Sequence, residues 1–181
     1  MNDKKLGAEI LREYTPTDED LKKIKRNDIY IVLDNVLDTY NIGAIFRLAD
    51  AVGVKKIFLC EGSETPPNHK IKKASVNTWQ WINWEYQEKT LSAISDLRSQ
   101  ISNIKVVGIE LDKRAIDYTK CDYQLPIALV VGHESNGIKP EVLDMCDNII
   151  QLPQLGINKS LNVMVSLGIV LYEVVEKNEL R

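Results

Sequence analysis

The chain is poor in the residues that would staple or metallate a small fold. Its three cysteines, Cys60, Cys121 and Cys146, are odd in number and far apart among 181 residues, so they suggest neither a disulfide framework nor a thiolate metal cluster. Two histidines, His69 and His133, give no zinc-ligand spacing, and no metal is expected. No apolar run approaches the roughly 18 residues of a membrane span. The opening residues Met1-Asn2-Asp3-Lys4-Lys5 are polar where a secretory signal would be apolar. Positive charge is not in excess either: 23 Lys and Arg stand against 26 Asp and Glu, a net charge of -3. Phosphate affinity must therefore come from local clusters and not from the whole surface. The expectation is a reduced, cytoplasmic protein with no membrane and no metal partner.

What is present is ordinary globular composition, 44% hydrophobic and 27% charged, enough for one core. Short Ile- and Val-rich runs at residues 29–33, 56–60, 106–109, 127–131 and 148–152 read as strands, with a weaker one at 81–85. Helical patterns lie between them at 42–52, 91–101, 141–145 and 161–175. Strands alternating with helices predict an α/β fold, a mostly parallel sheet with helices on both faces. Residues 1–28 read as a short helical extension and 29–181 as the single domain. Two basic clusters interrupt the acidic background, Lys22-Lys23-Ile24-Lys25-Arg26 and His69-Lys70-Ile71-Lys72-Lys73. Each is either a solvated helix face or part of a phosphate-tracking patch.

Ligands of open α/β sheets bind beyond the carboxyl ends of strands. Loops there, at 34–41, 110–113, 132–137 and 153–160, carry the unusual polar and glycine content, and three segments stand out. In the first, Asn41-Ile-Gly43-Ala-Ile-Phe-Arg47, Asn41 is placed to cap a helix, and Gly43 admits a ligand or another backbone. Arg47 is either a functional cation or an exposed arginine pairing Asp50 or Asp38. In the second, strand 127–131 runs into Gly132-His-Glu134-Ser-Asn-Gly137, a tight loop that is neither a Walker nor a Rossmann phosphate loop. Glu134 can orient a base or hold a positive group, whereas His133 reads as a loop residue. In the third, Leu152-Pro153-Gln-Leu-Gly156-Ile-Asn158-Lys-Ser160-Leu161-Asn162-Val163, Ser160 reads as a helix cap. Asn162, a poor helix former before an apolar stretch, must find a polar partner there.

Taken together and in this order, Asn41-x-Gly43-x-x-x-Arg47, Gly132-x-Glu134-x-x-Gly137 and Leu152-Pro153 with Ser160-Leu161-Asn162-Val163 resemble the three signature motifs of the SpoU (TrmH-like) family of RNA 2′-O-ribose methyltransferases in the SPOUT superfamily. The resemblance spans roughly residues 29–175. It implies a SPOUT fold whose C-terminal segment forms a trefoil knot, a feature that periodicity does not foretell. It also implies S-adenosylmethionine as cofactor, held by Gly132, Gly137, Leu152 and Leu161 with Glu110 and Leu111. The implied assembly is a homodimer with the active site near the subunit interface.

The resemblance makes Arg47 the catalytic residue. Guanidinium groups stay charged at neutral pH, so the role that fits is orienting the ribose 2′-hydroxyl and stabilising developing alkoxide charge. Asn41 and Glu134 would position Arg47 or the ribose, and Ser160 and Asn162 would complete the pocket. Gln154 and His133 depart from the commonest pattern. Among RNAs, transfer RNA is expected over ribosomal RNA, because the sequence offers no separate RNA-binding domain. The alternative is a knotted RNA- or nucleoside-binding protein without catalysis. A generic nucleotide-binding module is opposed by the acidic loop Asp34-Asn-Val-Leu-Asp38 after the first strand. Trp79 and Trp81 are either a stacking surface for a base or one strand face of the core.

Overall fold

A computed structural model describes residues 7–180. The polar opening residues 1–5, read above as no signal peptide, lie outside the described residues. Two short helices come first, α1 (Ala8–Glu13) and α2 (Asp18–Lys23). The sheet and its helices then follow as β1 (Asn27–Asp34), α3 (Thr39–Ala51), β2 (Val54–Cys60), α4 (His69–Ser75), β3 (Trp84–Gln87), α5 (Thr90–Gln100), β4 (Lys105–Ile109), β5 (Ile116–Asp117), β6 (Ile127–Gly132), α6 (Pro140–Leu143), β7 (Asn148–Gln151) and α7 (Val163–Lys177). The seven strands form one sheet in the order β3-β2-β1-β6-β4-β7-β5, and every pairing is parallel.

The period-two alternation of the strands divides the core in two. Ile29, Ile31 and Leu33 of β1 join Ile127, Leu129 and Val131 of β6 on one face, under α3, α4 and α7. Tyr30, Val32, Ala128 and Val130 point to the other face, under α5 and α6. The central runs 29–33 of β1 and 127–131 of β6 are continuously hydrophobic because both of their faces are covered. In register, Leu33 pairs with Val131 and Asp34 with Gly132, so β1 and β6 end side by side. The chain leaves β1 for β2 on one side and leaves β6 for β7 beyond β4 on the other. A crevice opens at that divergence.

Four local expectations need correction. The sixth strand is Trp84–Gln87, displaced from the expected 81–85. Trp79 and Trp81 fall in and just after a 3₁₀ turn, Thr78–Gln80, and pack against the core with no strand face involved. The helix holding Arg47 starts at Thr39 and is capped by Asp38, whose carboxylate accepts the Tyr40 amide; Asn41 is already inside its first turn. The cap of α7 is Asn162 and not Ser160, because the Asn162 Oδ1 accepts the amides of Met164 and Val165. β5 escaped the sequence pattern altogether, since two residues carry no period.

Gly43 lets another backbone approach. A Cβ at that position would lie 2.5 Å from the Ala74 Cβ and 2.9 Å from the Ile71 carbonyl oxygen, so the glycine lets α4 pack directly on α3. The N-terminal segment is fastened to the far end of α4, where the Asn77 side-chain amide donates to the carbonyls of Leu11 and Arg12.

Candidate active site

The three motif segments meet at the carboxyl ends of β1, β4, β6 and β7. After β6 the chain turns back on itself: the His133 amide donates to the Gly137 carbonyl at 3.1 Å and the Gly137 amide to the His133 carbonyl at 2.8 Å. The His133 Nδ1 accepts the amides of Ser135 and Asn136, which makes it the internal brace of this loop. Both glycines are dictated by space. A Cβ on Gly132 would lie 2.3 Å from the Gly137 carbonyl carbon. Gly137 has φ +69°, and a Cβ there would strike the Glu110 carboxylate at 2.2 Å. Glu110, at the end of β4, accepts the Leu111 amide through Oε1 and the Ile138 amide through Oε2, tying β4 to the exit of the loop.

Glu134 stands at the tip of the same loop and clamps the first segment. Its carboxylate accepts the amides of Leu37 (3.2 Å) and Asp38 (3.0 Å) and the side-chain amide of Asn41 (3.0 Å). Partial burial opposes its ionisation, but the hydrogen bonds from Asn41, Asp38 and Leu37 outweigh that and hold its pKa below the ordinary glutamate value. Asn41 in turn accepts from the Asn162 Nδ2 at 3.0 Å. One hydrogen-bonded line, Glu134–Asn41–Asn162, therefore joins all three segments. Asn162 is exposed, so burial does not require a partner for it as the sequence suggested; its bond to Asn41 is a tertiary link made at the surface.

Beneath this line lies a cavity of about 540 Å³. All six residues assigned to the cofactor, Glu110, Leu111, Gly132, Gly137, Leu152 and Leu161, line it, as do Glu134, Ser160 and Asn162. Asn41 and Arg47 do not line it. Asn41 reaches its rim through the bonds just described. Arg47 lies on the exposed side of α3, a turn and a half further on, with neither Asp38 nor Asp50 as partner: Asp38 caps the helix and Asp50 accepts the Trp81 indole at 2.7 Å. The pairing expected for an ordinary surface arginine is thus absent among the described residues.

Two supports were not singled out from sequence. Asp34, fully buried at the end of β1, accepts the Thr90 hydroxyl at 2.5 Å and the Lys139 amide at 3.0 Å, fixing the exit of the glycine loop to the sheet. An acidic residue closing an apolar strand was the available signal. Asn158 accepts both the amide and the hydroxyl of Ser160, so Ser160 shapes the loop before α7 and does not cap the helix. Among the described residues no group of His, Cys, Asp and Glu could hold a metal ion.

The model of the SpoU rRNA methylase family matches residues 28–172. The chain belongs to the SpoU family. A tRNA (guanosine(18)-2′-O)-methyltransferase of Aquifex aeolicus is 30% identical over 178 residues, 94% of this chain and 82% of that protein. A 23S rRNA (guanosine-2′-O-)-methyltransferase of Acinetobacter baylyi is 31% identical, over 86% of this chain but 64% of the relative. Among solved structures, the Aquifex aeolicus TrmH/SpoU tRNA modifying enzyme superposes with a TM-score of 0.78 at 29% identity, covering 95% of this chain and 82% of that one. An AdoMet-bound rRNA methyltransferase of Sinorhizobium meliloti gives 0.76 at 27% identity, covering 92% of this chain and 59% of that one. The SpoU match extends over all three motif segments. This chain spans less than two thirds of the Acinetobacter and Sinorhizobium proteins.

Proposed function

We propose that this SpoU protein transfers a methyl group from S-adenosylmethionine to a ribose 2′-hydroxyl of RNA. The observation that carries the reading is the line Glu134–Asn41–Asn162, which holds the three motif segments around one cavity. A cavity of about 540 Å³ is of the size that takes a cofactor, roughly 300–1,000 Å³. Its lining suits a nucleoside with a charged tail: Ile109, Leu111, Leu152 and Leu161 offer apolar surface, and Glu110 and Gln151 offer polar groups. The Glu110 carboxylate already accepts two amides, yet its oxygens keep free lone pairs for a hydroxyl.

S-adenosylmethionine supplies an electrophilic methyl on a sulfonium centre. The residues of this chain align the nucleophile. Arg47, a cation with no ion-pair partner among the described residues, orients the 2′-hydroxyl and stabilises charge developing on its oxygen. The hydroxyl proton leaves to a neighbouring RNA phosphate or to water. Asn41 and Glu134 fix the first turn of α3 and hence the position of Arg47, while Ser160 and Asn162 shape the rim.

In this proposal the segment from β7 to α7 is the threaded part of a trefoil knot, residues 29–181 are the catalytic unit, and residues 1–28 are an accessory extension. The protein acts as a cytoplasmic homodimer without metal. Support for the dimer is a stripe on one side of α7: Val165, Ile169 and Tyr172 are 38%, 39% and 55% exposed at i, i+4 and i+7. Leu155 and Ile157, 96% and 100% exposed beside the cavity, add to this apolar surface. No helix among the described residues is long and apolar enough to cross a membrane. Transfer RNA is the preferred substrate, supported by the match along most of the Aquifex tRNA enzyme. The test is nucleoside mass spectrometry of total RNA from cells with and without the gene. Loss of one 2′-O-methylnucleoside, in tRNA, is expected. An unchanged set of 2′-O-methylnucleosides would overturn the reading.

A further inference from the structure

The surroundings of α3 define a groove that the cofactor cavity does not account for. Asn41 and Leu48 mark one flank of the helix, where the Asn162 side chain bonds Asn41 and Gly168 of α7 faces Leu48. Gly43 marks the opposite flank, against α4. Between the two flanks runs an open line of Tyr40, Ala44 and Arg47, at i, i+4 and i+7. Tyr40 is 53% exposed and Arg47 is exposed, separated by about 10 Å along the axis. Beside Tyr40 is a second cleft, of about 560 Å³, bounded by Leu37, Tyr40, Asn68, His69 and Lys70.

Charge distinguishes this side of the molecule. From Thr65 to Trp84 the sequence has no Asp or Glu but contains His69, Lys70, Lys72 and Lys73. All three lysines are exposed, and none is in an ion pair among the described residues. Two carboxylates, Asp38 and Glu64, also border the cleft, where Asp38 caps α3 and Glu64 accepts the Asn68 side-chain amide at 3.5 Å. The cationic track is therefore the exposed face of α4 and not the cleft floor. Lys70 and Lys73, three apart, stand on the same side of α4.

We propose that this groove receives an unpaired stretch of the substrate RNA, with a base next to the methylated nucleotide stacked on Tyr40 and backbone phosphates on Lys70 and Lys73. The inference rests on the methyltransferase reading and adds the path of the substrate to it. An exposed tyrosine beside lysines provides what single-stranded RNA binding uses, an aromatic platform and a cationic track. The basic cluster at residues 69–73, ambiguous in the sequence, is thereby given an occupant.

The test is filter binding of radiolabelled total cellular RNA to the full chain across a salt series, with the affinity for S-adenosylmethionine measured alongside as a control for folding. The Lys70→Glu/Lys73→Glu double variant is expected to bind RNA at least about tenfold more weakly at low salt. Its salt slope should fall by about 1–2, at roughly 0.7–0.9 per lost phosphate contact. Tyr40→Ala should raise the KM for RNA about tenfold and leave kcat near wild type, with Tyr40→Phe restoring it. Lys120→Glu, beyond the opposite sheet edge, should change neither. Unchanged RNA affinity and salt slope in the double variant would overturn the proposal. So would a Tyr40→Ala variant that loses the dimer but keeps its RNA affinity, since the face would then be a subunit contact. If RNA binding depends on the lysines but the wild type transfers no methyl group, the methyltransferase reading fails and the groove stands.

Discussion

Asn41 and Asn162, 121 positions apart, meet through a 3.0 Å hydrogen bond in which the cap of α7 donates to the first turn of α3. Asn41 passes the link on by donating to Glu134 at 3.0 Å. One amide thus satisfies a donor on one side and an acceptor on the other. Asn41→Ala is expected to remove both bonds and cost about 1–3 kcal/mol of stability. Asn41→Asp should be worse for cofactor binding, because it sets a second carboxylate against Glu134. Urea unfolding and calorimetry with S-adenosylmethionine check the two statements.

Glu134 faces three donors, so Glu134→Gln, which turns an NH₂ towards them, should weaken cofactor binding and lower stability. The pH dependence follows from the sign of the shift. Its folded pKa lies below its unfolded value, so its contribution is complete above the unfolded value of about 4.3 and is lost as pH falls through the folded pKa. The stability gap between wild type and Glu134→Gln should be flat from pH 8 to about 5 and should narrow only in stronger acid. Denaturation midpoints measured against pH test this; a gap that closed near neutrality would contradict it.

Gly43→Ala should be disproportionately harmful for a substitution that ordinarily favours helices. The new methyl would meet Ala74 at 2.5 Å and the Ile71 carbonyl at 2.9 Å, which forces α4 off α3. A loss of about 1–3 kcal/mol is expected, the usual cost of overpacking. A thermal midpoint at or above wild type would show that the two helices can separate without cost.

Much of this was legible in the sequence, and the misses have physical causes. The central strands β1 and β6 stand out because two-sided burial makes residues 29–33 and 127–131 continuous hydrophobic runs. β3 was misplaced because Trp79 and Trp81 imitate strand alternation while sitting at a 3₁₀ turn. The six residues that the motif resemblance assigns to a cofactor all line one cavity, which is as far as the motif positions are met by geometry. The caps were assigned to the wrong residues because Asp38 and Asn41, like Ser160 and Asn162, are all competent caps, and only tertiary bonds decide among them. Asp34 is legible in the sequence only as part of an acidic loop, and its bracing role is not, because its partners, Thr90 and the Lys139 amide, are 56 and 105 residues away.

The apolar stripe on α7 predicts the assembly. A protomer of 20.6 kDa should elute and scatter as a dimer, and Ile169→Glu, placing charge in the middle of the stripe, should shift it to monomer. Light scattering coupled to size exclusion checks this. A wild-type monomer with full activity would remove the interface from the account.

The most direct measurement is to incubate RNA with the protein and S-adenosylmethionine carrying a deuterated methyl group, digest to nucleosides and locate the label by mass spectrometry. The account predicts label on a ribose 2′-oxygen with wild type, and a loss of at least about a hundredfold in rate for Arg47→Ala with cofactor affinity unchanged. Label on a base, or an Arg47→Ala rate equal to wild type, would contradict it.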